Sequence, residues 1–109
     1  MLIKPAKRVI FADENIEKDF LSLPENNEIK KALRRAIEKL KENAFSGERI
    51  PKKQIPKVYI KKYNIDNLLW YPLPDGWRMV YSVITDKIEV VALILEYFSH
   101  KEYEKRFSY

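Results

Sequence analysis

Cysteine is absent from the 109 residues, and histidine occurs once. These two absences remove a disulfide scaffold, a thiolate zinc site, a cysteine nucleophile and a histidine-rich metal centre. Glycine is nearly as scarce, and two glycines so far apart cannot form a phosphate-cradling loop. With only six prolines beside them, there is little material for a linker. Long apolar runs are missing too: the longest, VVALIL at 90–95, falls well short of the ~20 residues a spanning helix needs. The amino-terminal string MLIKPAKRVIFADEN has no apolar stretch of signal-peptide length. The expectation is a cytoplasmic protein with no membrane segment, metal or cofactor. Richness in Lys, Glu and Ile without Cys matches a thermophile's composition.

What is present is ordinary globular material, 46% hydrophobic and 34% charged, in a length that suits one domain over residues 1–109. The available chemistry is that of carboxylates, one histidine, tyrosines, hydroxyls and many cations. Lys and Arg number 21 against 16 acids, a net of +5. The segment RIPKKQIPKVYIKKYN at 49–64 carries Arg49, Lys52, Lys53, Lys57, Lys61 and Lys62 and no acid. Taking these six from a net of +5 leaves the rest of the chain at −1, so one stretch holds the whole positive balance. With Tyr59 and Tyr63 interleaved it reads as a footprint for a polyanion, the six cations being candidate RNA contacts. The same pattern also suits a strand edge guarded by lysines.

Periodicity orders the elements. Residues 7–12 (KRVIFA) read as a strand, and Asp13 as the cap of a helix with Ile16, Phe20 and Leu23 on one face. A second helix starts near Asn26 or Asn27. Ile29, Leu33, Ala36, Ile37, Leu40 and Ala44 form its apolar face, Lys30 falls on the polar one, and Gly47 is its expected carboxyl-terminal cap. The spacing then becomes strand-like: Lys57–Tyr63, 67–73, 77–84 and 88–98, with turns at Pro74-Asp75-Gly76 and at 85–87. The last strand is apolar at successive positions, as in a sheet's centre. Ser99 caps a short terminal helix over 100–107. The expected fold class is α+β: two N-terminal helices packed on a 3–4-stranded antiparallel sheet, with a short C-terminal helix.

Two sets of residues could carry chemistry. Alternation along 77–84 puts Arg78, Val80, Ser82 and Ile84 on one face, and Arg78 there needs an anion, either an internal carboxylate such as Glu96 or a ligand phosphate. The tail supplies Glu96, His100, Tyr103, Arg106 and Tyr109, which include a histidine, a phenol and a guanidinium suited to metal-free phosphoryl chemistry. Tyr103 and Phe107 serve equally well as anchors of a helix on the sheet.

The string LPDGWRMVYSV followed by IEVVALILEYFSHKEYEKRF resembles the carboxyl-terminal half of RelE/ParE-superfamily toxins, of the archaeal RelE-like kind. In that family a strand of the type Gly-aromatic-Arg precedes an apolar strand and a His/Arg/Tyr-bearing tail. The resemblance implies the toxin of a type II toxin–antitoxin pair: a metal-independent, ribosome-associated mRNA endoribonuclease that inhibits translation and uses the RNA 2′-OH as nucleophile. It implies that Arg78 holds the scissile phosphate, that His100, Tyr103, Glu96 and Arg106 take part in catalysis, and that Lys52, Lys53, Lys57, Lys61 and Lys62 contact RNA. The implied partners are mRNA, the ribosome and a cognate antitoxin. The last would cover the basic face, seated along the helix at 27–44 or added as a strand beside Lys57–Tyr63. The alternative is a non-catalytic binder on the same fold, a ParE-like gyrase inhibitor or an inactive toxin relative.

Overall fold

The computed structural model describes residues 3–85 and 89–107. The elements follow in the order β1 (Arg8–Phe11), α1 (Glu14–Ser22), α2 (Glu28–Glu42), β2 (Glu48–Arg49), α3 (Lys57–Tyr63), β3 (Leu69–Pro72), β4 (Arg78–Thr85), β5 (Val90–Phe98) and α4 (His100–Arg106). The described residues form an α+β fold with one five-stranded mixed sheet, in the order β1-β5-β4-β3-β2. Strands β2 to β5 pair antiparallel, while β1 returns parallel to β5. The chain between β1 and β5, from α1 through β4, is long enough for this, because a parallel neighbour cannot be reached by a hairpin. β5 therefore lies inside the sheet, as its unbroken apolar run demands. The turn expected at 86–87, the strand start at Ile88, and Tyr109 lie outside the described residues.

The expected caps Asp13 and Ser99 form, accepting from the Asn15 N–H at 2.8 Å and the Glu102 N–H at 3.3 Å. Of the two candidate starts of the second helix Asn27 caps it, accepting from the Lys30 N–H at 3.0 Å. On one sheet face, Phe20 of α1 and Leu33, Ala36 and Leu40 of α2 cluster with Met79, Tyr81, Val83, Ala92 and Ile94. On the other, Ile50, Ile55, Tyr59, Leu68, Val80, Leu95, Phe98 and Phe107 form a second cluster beneath α3 and α4.

Lys57–Tyr63 corrects the expected basic strand: it is a helix. Pro56, at φ −56°, starts it without needing a free N–H, and Asn64 closes it in the left-handed conformation at φ 54°. Tyr59 and Tyr63, one turn apart, face the sheet while Lys57, Lys61 and Lys62 face water. A segment lying across a sheet face has no ladder to join, so it satisfies its backbone internally. The proposed strand addition beside it has no edge to use.

Gly47 is likewise not the cap of α2, which ends at Asn43. A Cβ at Gly47 would lie 2.5 Å from the Trp70 carbonyl oxygen and 2.8 Å from the Tyr81 hydroxyl, so close approach demands the glycine. The buried Tyr81 hydroxyl donates to the Ala44 carbonyl (2.8 Å) and accepts from the Gly47 N–H (2.9 Å), tying the loop after α2 to β4. Burial pushes the Tyr81 phenol up to about 12 from an ordinary value of 10. A folded-state value above the unfolded one stabilises fully below pH 10, and that stabilisation is lost as the pH climbs towards 12. Tyr81→Phe should cost about 1–3 kcal/mol at neutral pH, by stranding two backbone groups, and should flatten the loss of stability above pH 10. Urea melts at pH 7 and in the alkaline range check both.

A bulge in β5 positions the site. Val80 pairs with Glu96 but Tyr81 with Ile94, so Leu95 is the extra residue. Leu95 packs beneath α3 and α4, and simple alternation would send Glu96 to the opposite face. The bulge turns it back to the same side, where it meets Tyr59.

Candidate functional site

Arg78 opens β4 on the face covered by α3 and α4. Its register partners, Pro72 on β3 and Phe98 on β5, carry no charge. Trp70, opposite Val80, shares that face two residues along. The guanidinium carbon lies 4.0 Å from the centre of the Trp70 ring system and 4.3 Å from that of Tyr103. Among the described residues Arg78 has no ion-pair or hydrogen-bond partner, so the internal pair with Glu96 does not form. No buried, unpartnered side-chain nitrogen is found there either, so the unpaired N–H groups of this half-buried arginine reach solvent.

Tyr103 lies on α4, stacked on Phe107 at 4.4 Å and meeting Phe98 edge-on at 5.8 Å. Phe107 touches Tyr59 of α3, and the Arg106 guanidinium sits 6.0 Å from the Tyr59 ring. A row of rings thus runs across the sheet from Arg78 to Arg106.

At the far end Glu96 is fully engaged. It accepts a short hydrogen bond from the Tyr59 hydroxyl, and Arg106 reaches it through Nε at 3.0 Å and Nη2 at 3.2 Å. Burial first, then the hydrogen bond to Glu96 and the Glu96 charge, raise the Tyr59 phenol well above its usual value, so it stays protonated and donates. A cleft of about 170 Å³ opens here, lined by Asp13, Tyr59, Lys62, Tyr63, Glu96 and Arg106 among others. Lys62 is paired with Asp13 at 2.9 Å, and its hydrogen bond holds the Asp13 carboxyl below its usual range.

The expected catalytic residues fall into separate groups: Arg78 with Tyr103, Glu96 with Arg106, and His100 by itself. His100 starts α4 with its side chain 56% exposed and Nε2 3.0 Å from Glu104 Oε1. Its Cβ would stand 3.2 Å from a Cβ at Gly76, whose φ of +77° independently favours glycine. A larger hollow, of about 490 Å³, lies at the other end of β4 around Asn64, Asp66, Asn67 and Ser82 and holds none of these residues. Asn67 there is structural, accepting from the Val83 N–H (2.9 Å) and donating to its carbonyl (2.8 Å) as a strand residue would.

The cations divide by face. On α2, Lys31, Lys39 and Lys41 pair with Glu28, Glu42 and Glu38. Arg49, Lys52, Lys53, Lys57 and Lys61 are exposed and have no ion pair among the described residues; Lys62 alone of that stretch is neutralised. Sequence reasoning missed Trp70, and it placed Tyr59 in the basic stretch without the hydrogen bond to Glu96. Counting back across the Pro-Asp-Gly turn would have put Trp70 diagonal to Arg78.

Among the described residues no helix is long and apolar enough to cross a membrane, and no group of three or more His, Asp or Glu is placed to hold a metal ion. No family model matches the chain, and neither a curated protein nor a solved structure matches it significantly.

Proposed function

We propose that this protein is an RNA-binding toxin of RelE type that cleaves messenger RNA without a metal. The observation that carries the reading is Arg78: a permanent cation held by aromatic rings, with no internal anion and with N–H groups open to solvent. A half-buried arginine left without a carboxylate is suited to a phosphate, which its planar fork can grip in two places. The unpaired cations at 49–61 would hold flanking phosphates.

The chemistry is in-line attack of the ribose 2′-oxygen on the adjacent phosphorus, with loss of the 5′-oxygen. Arg78 would neutralise the charge that gathers on the non-bridging oxygens. Glu96 is tied up by Tyr59 and Arg106, so it supports Arg106 and the α3–α4 packing rather than moving a proton. The solvent-facing His100, and Tyr103 beside Arg78, are the groups left to do that. Incubating the protein with ribosome-bound message in EDTA tests the reading: ends bearing a 2′,3′-cyclic phosphate are expected, and a 2′-deoxy residue at the cut site should block the reaction. Tight RNA binding without cleavage would favour a non-catalytic binder, a reading to which the engaged carboxylate of Glu96 lends support.

Salt dependence probes the basic stretch separately. Each phosphate contact contributes about −0.7 to −0.9 to the slope of log affinity against log salt. Replacing Lys52, Lys57 and Lys61 by Gln should flatten the slope by about two, whereas Lys62→Gln should barely change it, because Asp13 already neutralises Lys62. A slope left unchanged by the triple replacement would return these lysines to a role in solubility.

A further inference from the structure

We propose that Trp70 is a positioning residue, the wall that with Tyr103 fixes the Arg78 guanidinium edge-out towards a phosphate; this rests on the reading that Arg78 receives RNA phosphate. Trp70 and Tyr103 both lie within stacking distance of the same guanidinium carbon, at 4.0 Å and 4.3 Å. The ring contacts of Tyr103 are with Phe98 and Phe107 and not with Trp70, so the two rings approach Arg78 from different sides. A guanidinium hydrates weakly on its faces and strongly at its edge, so rings against the faces leave the N–H fork as the part that meets a ligand. Faces already covered cannot stack on a nucleobase, so a ligand meets Arg78 through the N–H fork, which a phosphate can engage in two places.

Both walls are themselves held. The backbone of Trp70 sits in the sheet between Glu48 and Val80, and the Tyr103 ring is backed by Phe107 with the planes 16° apart. An arginine on a sheet surface ordinarily samples many rotamers and must lose that freedom on binding. Here the folding of the second core removes it in advance, and pre-organised charge is what stabilises a transition state.

The test separates this role from cleavage itself. Trp70→Leu should lower the single-turnover cleavage rate on the order of tenfold or more with RNA affinity within about twofold, and Trp70→Phe should recover most of the rate. An unchanged rate in Trp70→Leu, or a Phe variant no better than the Leu one, overturns the proposal. A binding measurement stands independently of catalysis and of whether Trp70→Leu folds. Trp77→Phe leaves Trp70 as the only tryptophan, and a 2′-deoxy-substituted, uncleavable RNA oligonucleotide is titrated against it. A change in Trp70 emission that disappears in Trp77→Phe/Arg78→Gln supports the proposal, even if the wild-type protein cuts no RNA and the ribonuclease reading fails. Oligonucleotide binding with no emission change overturns it, and no binding at all removes both readings.

Discussion

Arg78→Ala is expected to reduce single-turnover RNA cleavage by at least about a hundredfold, the scale seen when one pre-organised charge-stabilising group is removed. Stability should fall by less than about 1 kcal/mol, because Arg78 makes no ion pair or hydrogen bond among the described residues and its stacking contacts are partly open to water. Arg78→Lys should rescue poorly, since an ammonium keeps the charge but lacks the flat faces that fit against Trp70 and Tyr103. Thermal melts beside cleavage assays separate the two effects. An Ala variant that melts far below the wild type would make Arg78 a structural residue, and one that cleaves normally would remove it from the site.

Lys30→Ala should produce the largest loss of stability among single changes to a charged residue, about 2–3 kcal/mol, with a melting temperature lower by on the order of 10 °C. The Lys30 side chain is only 2% exposed. Its ammonium donates to the carbonyls of Leu21 (3.1 Å) and Leu23 (2.9 Å) at the end of α1 and to Glu25 at 2.9 Å, beside the Phe20 ring. Truncation leaves two helix-terminal carbonyls unpartnered in a closed space, a cost that hydrophobic burial does not offset. Lys30→Met, which keeps the aliphatic stem, should recover only part of the loss. The neighbouring exposed lysine offers an internal control: Lys31→Ala, across a solvent-facing pair with Glu28, should shift the melt by no more than about 0.5 kcal/mol.

Lys30 also shows where sequence reasoning stops. Helical periodicity places it on the polar face of α2, and only the docking of α1 turns that position inward. Lys57–Tyr63 makes the same point for secondary structure. Seven residues with lysines and tyrosines interleaved satisfy a strand's alternation as well as a helix's turn, and a segment that short cannot be assigned by period alone. Arg78, by contrast, stood out in the sequence because a permanent charge in a run of apolar and aromatic residues demands an explanation wherever the strand lies. The bulge at Leu95 had no signal of its own, yet it decides that Glu96 faces α3 and becomes the partner of Tyr59 and Arg106.

The sequence by itself determined the local events: three side-chain caps, the amphipathic α2, the turn at Asp75-Gly76, an apolar β5 that must lie inside a sheet, and a stretch of unopposed cations. Each depends on groups within a turn or two of one another, so spacing along the chain is spacing in space. Tertiary structure decided what depends on distant neighbours. The parallel return of β1, the burial of Lys30, the need for glycine at 47 and the bracketing of Arg78 by Trp70 and Tyr103 all join residues far apart in the chain. Whether a cation is paired or free follows the same rule. Lys61 and Lys62 are adjacent and chemically identical, and only the approach of Asp13 to one face of α3 neutralises the second and leaves the first open to a phosphate.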